Sequence, residues 1–118
     1  MPWTVRNHDD FDPEFDALPV EVQDELLAMT ALLEVYGPGL GRPHAGTLAG
    51  SRHANMKELR FKAADGVWRV AFAFDPERQA ILLVAGDKAG VAQKRFYKTL
   101  IARAESRFSR HLKALRET

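Results

Sequence analysis

Apolar residues first recur every three or four positions. Phe15, Leu18, Val22, Leu26, Met29, Leu33 and Tyr36 step this way and line one side of a helix. Pro19 suits a first helical turn, and Glu21, Asp24 and Glu25 fall where the helix dipole favours acids. The pattern predicts a short turn over 13–18, then a helix over 19–36 that Gly37-Pro38-Gly39 ends. After residue 55 the period changes to two. Residues 56–62 and 67–75 read as strands around "AADG", whose Asp-Gly marks a hairpin. "PERQ" makes another turn, and residues 80–86, "AILLVAG", are a third strand. Helical spacing returns in "VAQKRFYKTLIARAESRFSRHLKAL". There Phe96, Leu100, Ala104, Phe108, Leu112 and Leu115 form one face, and Lys94, Arg95, Lys98, Arg103, Arg107, Arg110, Lys113 and Arg116 the others.

Two stretches carry weaker signals. Residues 3–7, "WTVRN", alternate enough for a short strand. Residues 37–54 are rich in Gly, Pro and small side chains and read as a connection with room for one helical turn. The order is β, α, loop, β, β, β, α, and 118 residues suit one domain over 1–118. Consecutive strands with short turns make an antiparallel meander. The expected fold is α+β: a small antiparallel sheet, with the N-terminal strand added, helices on one face and the other face open.

Two arginines interrupt this strand pattern. Side chains alternate across a strand. Leu59 and Phe61 therefore share one face of the first hairpin strand, and Glu58, Arg60 and Lys62 the other. In the next strand Trp68, Val70, Phe72 and Phe74 share a face, and Arg69 points away with Ala71 and Ala73. With the apolar sets turned to the helices, Arg60 and Arg69 converge on the open face, beside small residues that leave room. Two guanidinium forks so placed suit a phosphate or carboxylate. The competing reading is that Arg60 pairs with Glu58 and only solubilises the face. Lys88 follows the third strand in a glycine-flanked turn. Tyr97 lies among Lys94, Arg95 and Lys98, off the apolar face. Aromatics interleaved with cations suit nucleic acid.

Charge sharpens this picture. Residues 1–48 hold nine acids against Arg6 and Arg42, whereas residues 49–118 hold fifteen Lys or Arg against seven acids. That split points either to a polyanion partner for the second half or to two halves that neutralise each other within the fold. The absence of cysteine excludes disulfides, thiolate metal sites and cysteine nucleophiles. His8, His44, His53 and His111 lack metal-ligand spacing, and no phosphate loop, dinucleotide fingerprint or serine elbow is present. No cofactor is expected. His53, just before the first hairpin strand, is a candidate acid or base. No signal peptide and no apolar run of the ~18 residues that span a bilayer is visible, so the expected location is the cytoplasm, away from membranes.

Four pieces in order carry a likeness: "FDALPVEVQDELL", "LAGSRHANMKELRF", "GVWRVAFAFDPERQAILLVAGDKAG" and "FYKTLIARAESRF". Together they cover nearly the whole chain, and ELR followed by WRV and then GDK is the most specific part. The chain resembles the RelE/ParE superfamily of type II toxins, within it the HigB-like, phage Gp49-like group. The resemblance implies a toxin that enters the ribosomal A site and cuts messenger RNA without a metal, through attack by the RNA's own 2′-hydroxyl. It implies an antitoxin partner, in this group commonly a HigA-like helix-turn-helix protein. By the same resemblance Arg60 and Arg69 clamp the scissile phosphate, and Lys88 is a third cation on the phosphate or the leaving oxygen. Glu58 is a general base or the partner that orients Arg60. Tyr97 stacks on a base, and Lys57, Lys94 and Lys98 contact RNA. Several relatives place a lysine where this chain has Glu58. Two other functions stay open: a ParE-like gyrase poison, and a non-catalytic RNA- or protein-binding module on the same fold.

Overall fold

The computed structural model describes residues 2–117. The strands are β1 (Thr4–Asn7), β2 (Ala45–Thr47), β3 (Met56–Ala63), β4 (Gly66–Phe74) and β5 (Gln79–Asp87), and the helices α1 (Phe11–Asp16), α2 (Val20–Tyr36) and α3 (Gln93–Arg116). A single turn of 3-10 helix, Gly37–Gly39, follows α2. The five strands lie in the order β1-β5-β4-β3-β2. β2 to β5 pair antiparallel, whereas β1 runs parallel to β5. The sheet is therefore mixed, not antiparallel throughout. The extra strand β2 comes from the Gly- and Pro-rich connection, where three residues are too few to show a period.

The β3–β4 hairpin turns through Ala64 and Asp65, with φ of 48° and 62°. Positive φ at both central residues matches the right-handed strand twist. Asp65 tolerates it, and Gly66 closes the turn as the first residue of β4.

The α+β class is as expected, but both faces of the sheet are covered. One face carries α1 and α2: Phe11, Val22, Leu26, Met29 and Leu33 pack on Leu59, Phe61, Val70, Phe72 and Leu82. Fully burying each such side chain contributes about 1.5–3 kcal/mol. The other face carries α3, whose Phe96, Leu100, Ala104 and Phe108 pack on Met56, Ala71, Ala73, Ile81 and Leu83. Expecting helices on one face alone was therefore wrong. The small residues Ala71 and Ala73 do leave room, and α3 occupies it.

Candidate active site

Because α3 lies over β4 and β5, its N-terminal turns reach the face that carries Glu58, Arg60 and Arg69. Arg60 and Arg69 sit directly opposite each other across β3 and β4. Like charges in that position repel. Arg69 is buried, 6% exposed, and held by its neighbours. Its Nη1 donates to the Trp68 carbonyl at 2.9 Å and its Nε to the Tyr97 hydroxyl at 3.3 Å. The Tyr97 hydroxyl donates to Glu58 Oε1 at 2.8 Å, and Arg69 Nε lies 3.6 Å from the same oxygen. A carboxylate, a phenol and a guanidinium thus close on one another, which is how buried charge is tolerated. Burial raises the Tyr97 pKa, and its hydrogen bond to Glu58 raises it further. Tyr97 therefore stays a neutral donor near pH 7.

Arg60 differs. It is half-buried, and no carboxylate pairs with it among the described residues. It lines a groove of about 680 Å³ together with Arg42, Glu58, Lys88, Lys94 and Tyr97. A second hollow of about 300 Å³ shares Arg42 and Arg60 and reaches Arg69. Lys88 Nζ stands over the Tyr97 ring, 5.8 Å from its centroid, a cation–π arrangement. The Tyr97 ring also meets Phe96 edge-on, with centroids 5.2 Å apart. A base stacking on Tyr97 would have to share the ring with Lys88.

Six of the eight residues to which the resemblance gave roles therefore meet: Glu58, Arg60, Arg69, Lys88, Lys94 and Tyr97. Lys57 does not. Strand alternation puts it on the α2 side with Leu59 and Phe61. Lys98 is exposed on α3, outside the groove lining. Arg42 was missed as a site residue. The β2–β3 pairing sets Gly46 opposite Glu58. A Cβ added to Gly46 would lie 4.0 Å from both an Arg42 Nη and Glu58 Oε2. Arg42 and Glu58 thus line the same groove from either side of Gly46. No periodicity marks Arg42, and only β2, itself unforeseen, brings it here.

Residues 13–109 match the family described as Phage derived protein Gp49-like (DUF891). The chain belongs to this Gp49-like family. A Mycobacterium tuberculosis protein named as toxin HigB2 is 42% identical over 104 residues, covering 87% of this chain and 51% of that protein. The chain thus spans about half the length of that relative. Another from the same organism, named as toxin HigB3, is 46% identical over 93 residues, covering 79% of each. In fold, the Gp49-like chain is similar to the solved structure of the E. coli toxin RelE, a double arginine-to-alanine mutant in the free state. The TM-score is 0.62 at 11% identity, over 86% of this chain and 96% of that one.

The far end of α3 in this Gp49-like chain is different ground. His53 packs edge-on against Phe108 at 5.1 Å and meets Ser109 Oγ at 3.1 Å. It lines a separate hollow with Trp3, Asp75 and Arg78, away from Glu58. The structure does not bring His53 to the groove. Among the described residues no cluster of His, Asp and Glu is arranged to hold a metal, and no helix is long and apolar enough to cross a membrane.

Proposed function

We propose that the chain is the toxin of a type II toxin–antitoxin system and cuts messenger RNA on the ribosome. Its likeness to proteins named as HigB toxins supports the toxin half of the reading. One observation carries the cutting half: cations that have no carboxylate partner among the described residues line a groove around the buried Glu58 carboxylate. In the reaction the RNA 2′-hydroxyl loses its proton and attacks the adjacent phosphorus. The bond to the 5′-oxygen breaks, leaving a cyclic phosphate and a 5′-hydroxyl that takes up a proton. Glu58 Oε2 accepts the first proton, since Oε1 is held by Tyr97. Arg60 and Arg42 bear on the phosphate oxygens, where fixed cations stabilise developing charge without reorganising. Lys88 supplies the leaving oxygen with its proton. Arg69 is a positioning residue here, because its Nε and Nη1 hold Tyr97 and the Trp68 carbonyl and so fix the phenol that bonds Glu58. Lys94 extends the cationic wall for the RNA backbone.

The test is a translation reaction with purified ribosomes, a defined mRNA and this protein, the breaks mapped by primer extension and free mRNA as control. Cuts that need ribosomes and vanish with Arg60→Ala are expected. Folded, antitoxin-free protein that cuts neither sample would sink the proposal.

A further inference from the structure

The sequence pattern picked out one apolar side of α2, but the helix has a second. Val20, Leu27 and Val35 are 66%, 55% and 68% exposed. With Ala31 they fall at spacings of seven, four and four, along the side opposite the buried Val22, Leu26, Met29 and Leu33. A solvated helix normally puts polar residues there. Asp24 sits within this stripe, between Val20 and Leu27, Glu21 and Glu34 lie at its edges, and α2 contains no Lys or Arg. This helix face is apolar from Leu27 to Val35 and its own charges are all acidic, on the α2 side of the sheet, away from the groove beside α3.

We infer that the outer face of α2 is a docking surface for a basic amphipathic helix of the antitoxin, apolar along one side with Lys or Arg beside it. This rests on the toxin reading for the identity of the partner. Charge selects the occupant. A second copy's α2 would set acid against acid, at a cost in such an interface. A second copy's α3 is basic, but its outward positions Lys94, Arg95, Lys98, Arg103, Arg110 and Lys113 offer no apolar seam. A foreign helix with both features satisfies both. The helix-in-groove mode needs anchors at this spacing, and α2 is long enough, at about 25 Å, to seat four turns. A partner anchored here leaves the groove uncovered, so this surface holds the antitoxin whether or not another part of it reaches the active site.

The experiment measures binding of the folded chain to the purified product of the neighbouring antitoxin gene. The variants are Leu27→Arg, Val35→Arg, and the pair Glu21→Lys with Glu34→Lys. Leu27 and Val35 are exposed, so their replacement leaves the fold intact. The expected result is a loss of affinity of roughly tenfold or more for Leu27→Arg and Val35→Arg. The charge-reversed pair should bind more weakly and lose salt sensitivity. Undiminished binding by Leu27→Arg and Val35→Arg overturns the proposal. So does the absence of any complex with the parent chain. A dimer of the chain alone that Leu27→Arg dissociates also overturns it, by giving the face to a second copy. Cleavage on ribosomes is read separately: a chain that fails to cut but shows the expected binding pattern loses the enzymatic reading and keeps this surface.

Discussion

The two ends of α3 carry similar parts arranged to opposite effect. Near its N-terminus Arg69 bonds a strand carbonyl, that of Trp68, and lies against Glu58. Further along, Arg107 bonds a strand carbonyl, that of Leu83, at 2.7 Å and grips Glu14 with two nitrogens at 2.8 and 2.6 Å. Around Arg107 every cation has its acid: Arg103 meets Glu14 at 3.1 Å and Arg110 meets Asp10 at 2.6 Å. Around Arg69 the neighbouring cations Arg42, Arg60, Lys88 and Lys94 have none among the described residues. Repulsion left standing costs stability. The Arg107 end fastens α3 to the acidic α1 region; under the proposed function the unpaired cations at the Arg69 end receive the RNA phosphate.

The largest effect should come from the open end. Arg60→Ala is expected to cut ribosome-dependent cleavage by about 100-fold or more, in line with losing one preorganised donor to a transition state. Its stability should stay within about 0.5 kcal/mol of the parent, because relief of the repulsion with Arg69 offsets lost packing. Primer extension and urea unfolding on the same sample measure both. A large stability loss without a cleavage defect would erase the contrast between the ends. Arg107→Ala should do the reverse. It strips a bidentate partner from Glu14 and leaves the Leu83 carbonyl unpaired, at a cost of about 2–3 kcal/mol in urea unfolding. Cleavage at temperatures where the variant is folded should be unchanged.

These two arginines also show where sequence reasoning held and where it failed. The alternation "ELRF" and "WRVAF" was enough to put Glu58, Arg60 and Arg69 on one face, because strand geometry leaves only two choices. It did not reveal that a helix covers the same face. Apolar α3 positions say that α3 packs, not on which side, and Ala71 and Ala73 read equally as space for a ligand or for Phe108. Lys88 was marked by its place in a glycine-flanked turn just past the third strand, and the resemblance gave it a role; no periodicity marks it. Arg107 was placed off the apolar face of α3, yet it is buried. Its partner Glu14 lies 93 residues away, and no local spacing records that pairing. The opposed charges of the two halves were legible, and their meaning was mixed. Part is spent inside the fold on Glu14 and Asp10, and the cations in the groove remain outside that settlement.

A finer cut separates positioning from chemistry. Tyr97→Phe removes the hydroxyl that links Arg69 to Glu58 and keeps the ring under Lys88. The loss of one buried hydrogen-bonded group should cost about 1 kcal/mol. Cleavage should fall by about tenfold, less than for Arg60→Ala, because the phosphate contacts survive and only the carboxylate's aim is loosened. A double-mutant cycle with Glu58→Gln checks the assignment. With Tyr97 acting through Glu58, the two losses of rate should not add, whereas a tyrosine that acts independently would give additive losses.

The smallest effect concerns the closed end alone. The hydrogen bond from Arg107 holds the Glu14 carboxyl below its ordinary value of 4.5, with the charges of Arg107 and Arg103 adding to it. A depressed carboxylate binds fewer protons folded than unfolded. It therefore stabilises the fold above its ordinary pKa and loses that contribution as pH falls through the folded value. Glu14 is 37% exposed in its side chain, so water and salt screen the pair and the slope should be shallow. His8 acts in a higher window. Burial lowers its pKa from 6.5, so the unfolded chain takes up the proton first and stability declines as pH drops below that value. Urea midpoints measured from pH 7 to 3 should decline in two steps. Glu14→Gln should flatten the lower step and leave the upper one in place. If that substitution leaves the lower step unchanged, the acid sensitivity belongs to other carboxylates, with Asp10 against Arg110 and Glu105 against Arg52 next in line, since both are also held low by their hydrogen bonds.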